Sequence, residues 1–218
     1  MNIRLGIYEI FARIVPGGFY LVALVQTGIV LGLITLDLNA INQIGLLPSL
    51  GLAFVAYLLG TVFDILSPNW HRLFKPKNFS AYELQDFKSK YPDWTIEFED
   101  KDWPVLLAYI RRQNLELGSE IDKYNAQAIM LRNVSLGLMW IAGNEVIYAI
   151  IQQNAWHLLI AFLLILVSLM VIRRATTFRQ WYYSTIFQII FSYRINLEDS
   201  IHKNPPKKEK KETKTPDT

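Results

Sequence analysis

No lysine or arginine occurs between residues 14 and 71, nor between 133 and 172, although the chain carries 22 of them. Random placement would leave about ten basic residues in those 98 positions. The high free energy of placing a cation in hydrocarbon is a sufficient cause of the gap. The basic residues fall instead into three blocks: Arg4 and Arg13, ten from Arg72 to Arg132, and ten from Arg173 to Lys214. This segregation also reconciles a chain that is 52% hydrophobic with one that is 19% charged, at a mean hydropathy of +0.20.

A bilayer core of roughly 30 Å needs about 20 helical residues. Four stretches meet that length: about Val15 to Leu36, about Leu46 to Leu66, the run after Arg132 beginning NVSLGLMWIAG, and about Ala155 to Ile172. The predicted fold is therefore an all-α integral membrane protein of four transmembrane helices, with a mostly helical cytoplasmic insertion between spans two and three. A signal peptide is the rival reading of the first run, but that run is too long and lacks a small-residue cleavage pattern, so it reads as retained. Both short connections, LDLNAINQIG and QQNAWH, lack basic residues. The positive-inside rule accordingly places both termini and the central segment in the cytoplasm. Zero cysteines fits a cytoplasmic-side protein without disulfides.

The expected organisation is an N-terminal interfacial helix with spans one and two (1–66), a cytoplasmic helical segment (67–131), spans three and four (132–174), an aromatic interfacial or domain-covering helix (175–202) and a disordered lysine-rich tail (203–218). Ile3, Ile7, Ile10 and Ile14 share one helical face, and Pro16-Gly17 is expected to turn the chain into the membrane. In the central segment, SAYE at Ser80 to Glu83 is a capping-box pattern for a helix reaching Lys90. WTIEFE alternates like a short strand. Trp103-Pro104 opens a second helix, expected to stop at Gly118. From Ser119 onward no proline or glycine intervenes before Gly137, and Ile121, Tyr124, Ala128 and Leu131 keep one apolar face. A continuous helix from 119 to about 151 is expected to carry the cytoplasmic segment mechanically into the bilayer.

Three residues stand out as functional candidates. Glu145 lies 13 residues beyond Arg132, about 20 Å along the helix, which places a carboxylate in the outer half of the membrane. It either serves a cavity, a cation or a proton, or reaches the outer headgroups near His157. Asp64 and His71 stand where span two leaves the membrane. They are candidates for interface chemistry, yet a helix exit explains them too, and an Asp64 ion pair to Arg132 or Arg173 would lock helices together. Trp70, Arg72, Arg132, Arg173, Arg174 and Trp181 suit the membrane interface. Gly28-xxx-Gly32 and Ala56-xxx-Gly60 are small-residue pairs that permit close helix approach, within one chain or in a homo-oligomer.

The segments YEIFARIVPGGFYLVAL (8–24), AYLLGTVFDILS (56–67) and YNAQAIMLRNVSLG (124–137) together resemble small bacterial inner-membrane proteins of unassigned function. The resemblance implies a bacterial inner-membrane location and carries no functional residue across.

Enzyme signatures are absent: there is no phosphate-cradling glycine loop, HExxH, GxSxG or CxxC. No cofactor and no metal are expected. Nucleic acid is not an expected partner, because Glu97, Glu99, Asp100 and Asp102 make the central segment mixed in charge, and the pI near 9.0 follows from the lysine tail and the inside bias. The expected partners are the lipid bilayer, a second copy, and a cytoplasmic protein or small ligand. The leading expectation is a non-enzymatic effector, scaffold or oligomeric pore component. Its alternatives are an interface enzyme using Asp64 and His71 on a lipid or lipid-linked substrate, and a small dimeric transporter.

Overall fold

A computed structural model describes residues 3–35, 45–74, 78–92 and 98–193. The connection 36–44, most of the WTIEFE alternation, the tail after 193 and the side chains of Ile3 and Ile7 lie outside the described residues. Among those described there is no strand. The helices are α1 (Ile3–Val30), α2 (Leu46–Phe63), the short α3 (Ser67–His71), α4 (Phe79–Lys90), α5 (Trp103–Gln113), α6 (Leu115–Gln152) and α7 (Ala155–Ser192), with a 3₁₀ turn at Asp100–Asp102 before α5. Four of them, α1, α2, α6 and α7, are long and apolar enough to cross a membrane.

These four pack as a chain of neighbours, α2 on α1, α1 on α6 and α6 on α7, the last pair having the most extensive contact. The edge helices α2 and α7 therefore leave apolar faces uncovered within the bundle; Leu47 is 81% and Met170 71% exposed. Such surfaces are unfavourable in water and suit lipid or another helix. Tight spots between helices occur where glycine removes a Cβ. A methyl at Gly17 would lie 1.6 Å from the Ala56 carbonyl oxygen, and one at Gly60 would lie 2.0 Å from the Arg13 carbonyl oxygen, so α1 and α2 touch backbone to backbone. Gly137 brings α6 against Phe19 in the same way.

Several local expectations need correction. α1 continues through Pro16 as one helix, with no break in it there. Proline removes only one helical hydrogen bond, and the Gly17 contact with α2 holds the segment in place. The Gly28-xxx-Gly32 pair does not join two helices. Gly28 faces the side chain of Ile34, and Gly32, with φ of +70°, ends α1 in the left-handed conformation that glycine adopts most easily. α4 is capped by Asn78, whose side chain accepts from the Ala81 N–H, and not by Ser80; Glu83 is buried instead of reaching back to a cap. α5 ends at Gln113, five residues before Gly118, because Asn114 turns the chain and its side chain accepts from the N–H groups of Glu116 and Leu117. Gly118 belongs inside α6, where a Cβ would meet Arg111 of α5 at 2.6 Å. Its role is close packing, not termination.

The remaining layer, a cap at one end of the bundle, is built from α4, α5, the start of α6 and the end of α7. Its core joins Phe79, Leu84, Phe87, Leu106 and Ile110 to Ile121 of α6 and to Tyr182, Tyr183, Ile186, Phe187 and Ile190 of α7. The aromatic segment after Arg174 thus continues α7 without a break and closes the cap core.

Candidate functional site

Two polar clusters lie among the long helices, one at the hairpin end where α6 turns into α7 and one at the cap end.

At the hairpin end, Asn144 and Glu145 project from α6 towards α1. Gln26 Nε2 donates to one carboxylate oxygen of Glu145, and His157 Nδ1 lies 2.7 Å from the other. Tyr148 packs edge-on against the His157 ring at 4.7 Å. Asn144 is buried; its Nδ2 donates to the Ala23 carbonyl at 2.9 Å and to Thr27 Oγ1 at 3.0 Å. Glu145 retains 15% of its side-chain surface and His157 23%. Both oxygens of the carboxylate are therefore satisfied from two other helices. Glu145 lies beside His157, within a network that sequence spacing alone does not reveal.

At the cap end, Asp64 caps α2 and accepts from Arg132 Nη2 at 2.6 Å and from Asn133 Nδ2 at 3.0 Å. Arg132 is one of the two partners expected for Asp64; Arg173 is exposed on α7. Tyr20, fully buried and stacked on Phe63 at 4.4 Å, donates to the Asn133 carbonyl at 2.9 Å. These contacts tie α1, α2 and α6 together. A second clasp joins α6 to α7: Ser168 Oγ donates to the Ser135 carbonyl at 2.8 Å and Ser135 Oγ to the Ser168 carbonyl at 3.0 Å, while Trp70 Nε1 donates to Ser135 Oγ at 3.0 Å. Buried polar side chains in an apolar bundle are stable only when so paired.

His71 is buried, stacked on Phe79, with Nε2 3.2 Å from Thr176 Oγ1. Thr176 gives its hydrogen to the Ile172 carbonyl at 3.1 Å, so Nε2 is the donor in that contact. Asp64 thus pairs with Arg132 and Asn133, whereas His71 meets Thr176. Among the described residues no group of three potential metal ligands occurs. Of the remaining interface candidates, Arg72 is exposed, and Arg174 lies over the rings of Phe178 and Trp181 at 4.7 and 4.9 Å. Ala56 is buried against α1. In the cap, burial pushes the Glu83 carboxyl above the usual carboxylate range, with Asp86 adding to the effect.

The residues that sequence reasoning passed over include Tyr20, Gln26, Ser135, Ser168 and Arg179. For the first four the available signal is a polar side chain within an apolar run, the sequence trace of interhelical hydrogen bonding; Arg179 stands in a mixed polar and aromatic stretch that gives no such signal. No protein-family model, curated protein or solved structure matches the chain.

Proposed function

We propose that the protein is a non-enzymatic effector or scaffold of a bacterial inner membrane, with four helices spanning the bilayer and the cap and both termini on the cytoplasmic side. A ligand or partner engages the cap, and α6 and α7 carry the resulting displacement to the opposite face. One observation supports this most strongly: α6 and α7 are each a single 38-residue helix, roughly 57 Å long, that belongs both to the bundle and to the cap core. A cap hung on a flexible linker would move independently; one built from the ends of two spans does not.

The enzymatic alternative loses its main support because Asp64 is engaged by Arg132 and Asn133 while His71 faces Thr176. An oligomeric pore is one form of the same proposal, favoured by the exposed apolar faces of α2 and α7 and by the carboxylate of Glu145 near the hairpin end.

The test uses the absence of native cysteine. Spin labels placed at Leu31 and Ile151, both exposed at the hairpin end, report the spacing of α1 and α6 in nanodiscs by double electron–electron resonance. Phe187→Leu, a change buried in the cap core, is expected to shift or broaden that distance distribution. An unchanged distribution would show that the cap and the hairpin end are mechanically independent.

A further inference from the structure

At the joint between bundle and cap lies a cavity of about 220 Å³ whose lining includes His71, Asn78, Arg132, Arg179 and Tyr183 and, among the described residues, no carboxylate. That volume is several times the roughly 30 Å³ share of one water in the liquid. Arg132 meets its single carboxylate, Asp64, through Nη2, while its Nε is buried without a hydrogen-bond partner among the described residues. Among the described residues the partners of Arg179 are neutral: Nη1 donates to Asn125 Oδ1, Nη2 to the Tyr183 hydroxyl at 3.3 Å, and the guanidinium stacks on Tyr182 and Tyr183. Since Tyr183 oxygen accepts from Arg179, its own hydrogen remains available to another acceptor. Asn78 Nδ2 likewise has a second hydrogen beyond the one given to Asp100 at 2.8 Å.

Two guanidinium groups on one polar cavity repel each other, and a buried donor without an acceptor is costly. An oxyanion relieves both terms at once, and a phosphate suits the planar fork of arginine best. We propose that this cavity binds a phosphate group, carried by a phospholipid headgroup or by a soluble phosphorylated compound, between Arg132 and Arg179. The site deepens the coupling reading, on which its functional consequence rests, by naming the chemistry of the ligand. A phosphate there bonds α6 and α7 together and abuts α3 and the first turn of α4, so occupancy tightens the joint between cap and bundle.

The test is isothermal titration calorimetry on the full chain in a sugar-based neutral detergent and a phosphate-free buffer. One arm titrates inorganic phosphate at constant ionic strength; the other adds phosphatidic acid in mixed micelles. Saturable binding in either arm is expected. It should weaken by about tenfold or more in Arg179→Gln, the loss of one charge-assisted contact, and survive in part in Arg179→Lys. Binding of phosphatidic acid without displacement by inorganic phosphate assigns the lipid source, and binding of inorganic phosphate unaffected by the lipid assigns the soluble one. Wild-type protein that binds neither up to about 10 mM overturns the proposal, as does binding that Arg179→Gln, folded by circular dichroism, leaves unchanged. The wild-type titrations stand even if that variant does not fold. Because the Phe187→Leu distance measurement requires no phosphate, a negative titration leaves the coupling reading intact, and a failed coupling measurement leaves the site intact.

Discussion

Gly17 and Gly18 are sequence neighbours with opposite expected responses to the same mutation. A Cβ at Gly17 lies 1.6 Å from the Ala56 carbonyl oxygen and 2.4 Å from its carbon, both backbone atoms that no rotamer change can move. Ordinary contact needs roughly 3.5 Å, so Gly17→Ala forces α1 and α2 about 2 Å apart. Gaps of 0.5–1 Å already forfeit about a quarter to a half of a dispersion contact, and overpacking of this kind costs about 1–3 kcal/mol or more. Alanine returns up to about 1 kcal/mol of helix propensity. At Gly18 a Cβ meets nothing within 4 Å, so Gly18→Ala keeps only that gain. The propensity gain is common to both variants and cancels, so they should differ by the overpacking term, about 1–3 kcal/mol or more, with Gly17→Ala the less stable. Gly60→Ala strains the same pair of helices, its Cβ 2.0 Å from the Arg13 carbonyl oxygen, so combining it with Gly17→Ala should cost less than the sum. Reversible unfolding in mixed micelles, followed by circular dichroism, measures all four proteins. Equal stabilities for alanine at 17 and at 18 would refute the backbone-to-backbone packing of α1 on α2.

Asp64→Asn leaves Arg132 without its carboxylate in a partly buried setting, with a loss of about 2–3 kcal/mol expected in the same unfolding assay. Ser168→Ala opens the clasp between α6 and α7 and should cost about 1 kcal/mol, because the Ser135 carbonyl then lacks that partner. Glu83 has its native carboxyl raised by burial, so the folded cap binds more protons than the unfolded one between the two pKa values. Cap stability should fall as pH rises from the unfolded value of about 4.3 through the raised native one, and a thermal-melt series should find Glu83→Gln more stable at pH 7 and free of that dependence. Glu145→Gln should alter the cation preference of any current that the purified protein carries across a planar bilayer; identical currents would remove the pore form of the proposal.

The helical architecture was legible because long stretches free of lysine and arginine coincide with long apolar runs. The gaps in lysine and arginine locate all four long apolar helices, and the uninterrupted run after Ser119 anticipates α6 to within one residue at Gln152. Local punctuation was read less well. Gly118 looked like a stop and is a packing contact, while Asn114, a stronger turn former through its side chain, starts α6 instead. Pro16 looked like a break, but its consequences depend on tertiary contacts with α2. The pairing of Glu145 with His157 and Gln26, and of Arg132 with Asp64, joins residues from 12 to 119 positions apart. Spacing along one helix carries no information about which polar residue the next helix presents. The aromatic segment after Arg174 was open between an interfacial and a domain-covering helix; Tyr182 to Ile190 complete the cap core, and they do so as the unbroken end of α7.

The account depends most on the four long helices crossing the bilayer with the cap on the inner side. Single cysteines at Gln153, exposed where α6 meets α7, and at Lys88, exposed on α4, test this with a membrane-impermeant maleimide on intact cells. Gln153→Cys should label from outside, and Lys88→Cys only after the inner membrane is opened. Labelling of Lys88→Cys in intact cells, or protection of Gln153→Cys until permeabilisation, would contradict the account.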